Sequence, residues 1–330
     1  MLNFDAHINP KVFDTDVAQK PIRDGYGDGL VLAGEKDKNV VVLCADLTES
    51  TRSEGFAKKF PDRFFEIGVA EQNLVTVAAG LGVSGKIAFI SSYATFSPGR
   101  NWEQIRTTVA YNNSNVKIAG AHAGISVGPD GATHQAIEDI ATMRVIPHMR
   151  VFVPCDAFEA KRATLAAATL YGPVYLRFAR EKTPIITTDR TPFVPGRALT
   201  LWESKKPQAA IIGCGPLLYQ SLVAARELDK KGIGTIVLDS HTVKPLDERK
   251  IIEVAKRTGA VVTVEEHQVI GGLGGAVAEL LAKKLPTPME FIGMQDTFGQ
   301  SGQPNELIEH YGMGAKDIVA AVRRVIRRAR

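Results

Sequence analysis

The densest collection of reactive side chains lies at 120–139. There Gly-Ala-His122-Ala-Gly-Ile-Ser126-Val-Gly128-Pro-Asp130-Gly131-Ala-Thr133-His134-Gln135 leads into Glu138 and Asp139. Two histidines and an aspartate among glycines permit proton transfer and hydroxyl recognition on a backbone that can approach a ligand closely. A polar, turn-rich loop is the plainer reading. Zinc binding is a third, but neither a second His nor a Cys lies at short ligand spacing. Upstream, Val69-Ala70-Glu71-Gln72-Asn73 opens the small-residue run LVTVAAGLGVSG, expected to form a helix buried on most sides. Glu71 either complements that helix's dipole or is a sequestered carboxylate suited to acid–base work. The run Ala-Asp46-Leu-Thr48-Glu-Ser50 follows VVVLC, and its carboxylate and hydroxyls either hold a ligand or cap a helix. Of Arg177 and Arg180, which end another apolar run, one can clamp a phosphate or carboxylate, or both are surface charges.

These residues need carriers. Short β-rich runs at 40–44, 64–69, 87–91, 116–121, 150–153 and 174–178 alternate with helical patterns near 21–36, 71–83, 101–112, 134–143 and 156–170. Apolar strands separated by helix-length segments imply parallel crossovers, which place ligands beyond the carboxyl ends of the strands. Residues 181–207, with four prolines and no period, interrupt the rhythm. It restarts with strands at 209–213, 235–239, 260–264 and 290–293, and helices near 216–231, 246–258, 273–284 and 315–329. The expected architecture is α/β, two domains, each a mostly parallel sheet covered by helices. The first domain is placed at 1–188, a linker at 189–207 and the second domain at 208–330.

Composition narrows the function. With 40 Lys+Arg against 36 Asp+Glu over 330 residues, the net charge of +4 is too small and dispersed for nucleic-acid binding. The densest basic cluster, Arg323, Arg324, Arg327, Arg328 and Arg330, suits a solvated helix C-terminus. Cys44, Cys155 and Cys214 each lie in or beside apolar runs, as buried thiols of a reducing compartment do. No run reaches the roughly 18 apolar residues of a membrane span, and the N-terminus lacks the order of a signal peptide. A cytoplasmic protein is expected, with neither nucleic acid nor membrane as partner.

The runs CADLTES, FFEIGVAEQN, SYATF, VGPDGATHQAIEDIA, LRFARE and DTFGQSG, in this order, resemble the transketolase family of thiamine-diphosphate enzymes from about residue 20 to the end. The resemblance covers that family's pyrimidine-binding and C-terminal domains. The diphosphate domain, whose GDG-to-Asn signature holds magnesium, would precede this segment. Gly27-Asp28-Gly29 is not that signature, because it lies in a helical stretch with no asparagine pair about 25 residues later. The glycines after His267 form no GxGxxG fingerprint and are read as structural.

The resemblance implies the C-terminal half of a split transketolase, inactive without an N-terminal partner chain and working as α2β2 in the pentose phosphate pathway. It implies thiamine diphosphate, with magnesium ligands on the partner and none on this chain. Glu71 would hydrogen-bond the aminopyrimidine and drive removal of the thiazolium C2 proton. Phe96 would stack on the pyrimidine, with Tyr93 and Trp102 as further aromatic wall and Asp46 as a further cofactor contact. Around Gly99 the family often has another aromatic or bulky residue. His134 would act on the donor's hydroxyls and the reacting carbons, and Asp130 would read the C2 hydroxyl. His122, Arg23, Ser50 and Arg180 would form a cationic and hydroxyl clamp for the sugar phosphate. Rival expectations are a deoxyxylulose-phosphate synthase-like chain, which typically has arginine near position 122, a 2-oxo acid dehydrogenase β-type subunit, and a non-catalytic binding subunit of the same fold.

Overall fold

The computed structural model describes residues 1–329. The run VVVLC is buried at all five positions. It alternates Val40 and Val42 to one face with Val41 and Leu43 to the other, as a strand covered on both sides must. It belongs to a seven-stranded sheet. In spatial order the strands are Thr242–Lys244, Arg150–Phe152, Val174–Arg177, Val116–Ala121, Ile87–Tyr93, Val40–Cys44 and Phe64–Glu66. All run parallel except Thr242–Lys244, which pairs antiparallel with Arg150–Phe152. Helices Ile22–Lys36 and Ala157–Thr169 cover the Val40 face. Glu71–Val83 and the π-helical turn Ile105–Ala110 cover the other.

The second sheet has the order Met289–Met294, Val261–Gln268, Pro207–Gly213, Gly234–Asp239 and Leu199–Glu203, with only the last strand antiparallel. Leu43, Ile90 and Ile118 of the first sheet share one apolar core with Ile212, Ile236 and Leu238 of the second. The two-domain α/β expectation with mostly parallel sheets is realised.

Four local expectations are corrected. The proposed linker at 189–207 contains the strand Leu199–Glu203, whose Leu201 and Trp202 are buried. Its prolines sit on either side of that strand, so they punctuate it and leave its pairing intact. Residues 1–12, assigned by sequence to the first domain, pack on the second sheet. Leu2 bridges Trp202, and Ala6, Ile8 and Val12 join that sheet's core. The helix expected from 134 begins only at Asp139, because Gln135–Ile137 is held extended by a bridge between Ala123 and Ala136. The helix Glu71–Val83 is not buried on most sides. Gln72, Asn73, Thr76, Val77, Gly80 and Val83 are exposed along one face.

A fully buried ion pair ties the sheets to the loop at 120–139. Arg177 Nε donates to Asp139 Oδ2 at 2.8 Å, and the Tyr175 hydroxyl donates to the same oxygen at 2.7 Å. Arg177 Nη2 donates to the carbonyls of Ala136 (3.2 Å) and, from the second sheet, Glu266 (2.8 Å). Removing one member of such a pair leaves an uncompensated charge. Arg177→Leu is therefore expected to cost about 3–5 kcal/mol in chemical denaturation, with Arg177→Leu/Asp139→Leu losing less. A single-variant loss under about 0.5 kcal/mol, the surface range, would refute the role.

Candidate active site

The carboxyl ends of the central parallel strands bring distant residues together. Pairing of Cys44 with Ser91 and of Tyr93 with Ala121 sets the segments at Asp46, Tyr93 and His122 along one edge. Asp46 and His122 have left-handed backbones, with φ of 56° and 55°. Such geometry costs about 1–3 kcal/mol per residue and turns the chain sharply as it leaves each strand. At Asp46 the turn is held by Glu66, whose Oε1 accepts from Asp46 N–H at 2.6 Å and whose Oε2 accepts from the Thr48 hydroxyl at 2.7 Å.

The aromatic and imidazole rings cluster beside this edge. Tyr93 stacks on His122 at 3.9 Å and lies 6.0 Å from Phe96, and Phe96 meets His134 edge-on at 5.3 Å. The Nδ1 of His134 lies 2.9 Å from the Thr133 hydroxyl. Trp102 is not part of this wall. Its indole N–H donates to the Thr142 carbonyl at 2.9 Å, and its ring packs against the shared core.

Glu71 is the first residue of its helix and is only 5% exposed. Its Oε1 accepts from Arg100 Nη1 at 2.8 Å, and its backbone carbonyl accepts from Asn101 Nδ2 at 2.9 Å. The same Arg100 guanidinium lies 4.1 Å over the Phe96 ring. One flat, protonated, N–H-donating group thus spans the Glu71 carboxylate and the Phe96 face. Arg100, Asn101 and Glu66 were not foreseen. Only the four-residue step from Phe96 to Arg100 hinted that the two side chains meet.

The third group is cationic. Arg23 Nη1 donates to the Ser50 carbonyl at 2.9 Å and to His122 Nε2 at 3.3 Å. Arg180 Nη1 donates to the Val127 carbonyl at 3.1 Å and lies 3.9 Å from Asp130. Burial and the neighbouring Arg52 push the Arg23 guanidinium below its ordinary value, as in a cation cluster that an anion would relieve. Burial first, then Arg23 and Arg180, push His122 down to about 3. The clamp is corrected accordingly. Its charge comes from Arg23 and Arg180, whereas His122 is neutral near pH 7, with Nε2 as acceptor and a buried Nδ1 unpartnered among the described residues. Ser50 meets Arg23 through its carbonyl.

Known proteins resemble this chain along most of its length. Residues 18–185 match the family profile described as transketolase, pyrimidine binding domain, and 198–318 match transketolase, C-terminal domain. A putative transketolase C-terminal section of Methanocaldococcus jannaschii is 45% identical over 306 residues, 92% of this chain and 95% of that protein. The chain belongs to the transketolase family. A 6-deoxy-6-sulfo-D-fructose transketolase subunit of Clostridium sp. (strain MSTE9) is 39% identical, covering 96% of this chain and 98% of its own. A solved structure described as a split gene transketolase, inactive beta4 tetramer, aligns with a TM-score of 0.88 and 46% identity, covering 94% of this chain and 99% of that one.

Members of this family use thiamine diphosphate. The residues fit its pyrimidine end, because the Arg100 guanidinium, also planar and N–H-donating, already bonds Glu71 while lying over Phe96. No helix among the described residues is long and apolar enough to cross a membrane.

The buried neutral histidine has a measurable consequence. Between about pH 6.5, the free imidazole value, and about 3, the unfolded chain takes up a proton that folded His122 refuses. His122's contribution to stability is complete above 6.5 and declines as pH falls through that window. Substitution with Gln is expected to flatten this limb in denaturation curves. An unchanged pH slope would show that His122 is not buried neutral.

Proposed function

We propose that this chain is the pyrimidine-binding and C-terminal subunit of a split transketolase. With an N-terminal partner in an α2β2 assembly, it transfers a two-carbon ketol unit from a ketose phosphate to an aldose phosphate. The observation that carries this reading is the convergence of buried Glu71, the Phe96–Tyr93–His134 wall and the Arg23–Arg180 cation pair at one sheet edge. An anion clamp beside a carboxylate and an aromatic seat favours a phosphorylated sugar over the small oxo acid of a dehydrogenase subunit.

When bound at the Glu71 and Phe96 side chains, thiamine diphosphate would supply a nucleophilic carbon and an electron sink for carbon–carbon cleavage. Glu71 holds the proton at the aminopyrimidine ring nitrogen, and Arg100 withdraws from both Glu71 and Phe96 to admit the ring. Phe96 and Tyr93 pack the aromatic face and exclude water. Asp46 adds a polar contact at the same edge. His134 bonds and moves protons at the sugar hydroxyls, Asp130 orients the C2 hydroxyl, and Arg23 and Arg180 hold the phosphate with His122 as a neutral donor. Magnesium and the diphosphate belong to the partner chain.

The exposed face of Glu71–Val83, which begins at the catalytic carboxylate, supports the need for another chain. The similar split-gene chain described as an inactive tetramer supports it further. Three buried free thiols suit a cytoplasmic setting. The sulfofructose relative favours a second donor class, a ketose ending in sulfonate, which the same arginines would bind.

The pure chain is expected to show no ketol transfer, and activity is expected to appear when the partner is added. Robust transfer by the chain alone would refute the split-enzyme reading. In the assembled enzyme, Glu71→Ala should abolish exchange of the thiazolium C2 proton as followed by NMR; exchange at the wild-type rate would remove Glu71 from its role. Arg180→Ala should raise KM for phosphorylated donors by about 10-fold or more, the scale of a lost charge-assisted bond, while sparing unphosphorylated ones. Comparing ketose phosphate with 6-sulfo-ketose separates the two donor classes.

A further inference from the structure

The seam between the domains encloses a second set of reactive groups that the ketol-transfer site does not use. Cys155 and Glu159 lie at the start of helix Ala157–Thr169 in the first domain, and Asp239 ends strand Gly234–Asp239 in the second. All are buried, with Glu159 and Asp239 completely inaccessible to solvent. One ligand atom from each, the Cys155 sulfur and a carboxylate oxygen of Glu159 and of Asp239, lies within 4.8 Å of the others.

The neighbouring Asp156 is fully engaged. Its carboxylate accepts from the backbone N–H groups of Glu159, Ile186 and Thr187 and from the Thr187 hydroxyl, so it caps the helix and pins the chain beyond 184. Glu159 Oε2 accepts from the Cys155 N–H at 2.8 Å. Among the described residues, three oxygens find no hydrogen-bond donor: Glu159 Oε1 and both Asp239 oxygens. Two carboxylates that meet in a dry interior without donors require a proton or a cation between them.

The other charged groups here narrow the choice. Arg162 gives Nη1 to the Thr188 carbonyl and Nη2 to Thr187 Oγ1, and its Nε has no partner among the described residues. His241 stacks on Phe193 at 4.2 Å and has its Nδ1 3.0 Å from Thr242 Oγ1, and burial keeps it neutral. With all three carboxyls ionised, Asp156, Glu159 and Asp239 against Arg162 would sum to −2, and burial beside Glu159 holds the Asp239 carboxyl well above the usual carboxylate range. One shared proton offsets half of that and pairs at most two of the three free oxygens. A divalent ion with the Cys155 thiolate leaves the same net charge as one shared proton, but it would satisfy more groups, taking the Cys155 sulfur and the free oxygens of Glu159 and Asp239 as donors.

We propose that Cys155, Glu159 and Asp239 form a structural site for one divalent transition-metal ion of the zinc class, which fastens the two domains together. The ion enters as M2+, and the Cys155 thiol proton leaves to solvent as the sulfur coordinates. No electron transfer is involved. The site stands independently of the ketol-transfer reading.

The test uses the full chain, stripped by a chelator and titrated with Co2+ as a spectroscopic probe, then with Zn2+ in competition. Wild-type chain is expected to take up one equivalent of Co2+, to show a thiolate-to-cobalt charge-transfer band, and to gain Tm. Cys155→Ser should lose the charge-transfer band, and Asp239→Asn should lose stoichiometric uptake and the Tm gain. Stripped wild-type chain that binds no equivalent of either metal and keeps its Tm would overturn the proposal in favour of a proton-sharing carboxyl pair. Uptake with the same band and stoichiometry in both variants would overturn it by locating the metal elsewhere. Because the wild-type titration decides the matter alone, poor folding of a variant leaves the proposal testable.

Discussion

The buried guanidinium of Arg177 is the constraint around which the molecule is arranged. A charge with no water near it must find acceptors in fixed directions. Here they come from Asp139 at the end of the 120–139 segment, from Ala136 within it, and from Glu266 of the other sheet. One side chain therefore fixes the segment that carries His122, Asp130 and His134 against both domains. Two glycines make room for this arrangement. A Cβ at Gly120 would lie 2.3 Å from the Tyr175 hydroxyl, and one at Gly124 would lie 2.4 Å from the Glu266 carboxylate. That carboxylate in turn accepts the Ser126 N–H at 2.6 Å. The second domain thus shapes the site through its buried backbone and carboxylates.

Charge at the site edge is distributed unevenly. Glu71 is shielded at a helix start and answered by Arg100, so its carboxylate is paired within the chain. Across the cluster, Arg23, Arg52 and Arg180 raise the local positive potential enough, together with burial, to keep His122 neutral. The same field that denies His122 its proton favours an anion.

The domains are joined more intimately than by a single connecting segment. Strand Thr242–Lys244 leaves the second domain to extend the first domain's sheet, residues 1–12 lie on the second sheet, and an apolar core runs through both. An interface of this kind behaves as one body and holds the 120–139 segment against the second domain.

Local sequence determined a great deal here. Strand runs such as VVVLC and VKIAGA announced themselves because a doubly covered parallel strand must be apolar throughout. The residues at the strand ends were legible because parallel sheets offer ligands only that edge. Glu71, His122 and His134 stood out in polar runs that follow strands, whereas Phe96 and the preference for Arg180 over Arg177 came only from the resemblance to the transketolase family. What remained hidden depends on contacts between residues far apart in the chain. Leu199–Glu203 reads as linker until its partner Gly234–Asp239 lies beside it, and residues 1–12 cross to the second sheet through pairings some 200 positions away. The protonation of His122 is decided by burial and by arginines at 23 and 180 that only the fold brings near. The Cys155–Glu159–Asp239 cluster likewise exists only where the two sheets meet. Periodicity and composition are properties of neighbours along the chain. Desolvation and charge pairing are properties of neighbours in space, and these the tertiary structure alone decided.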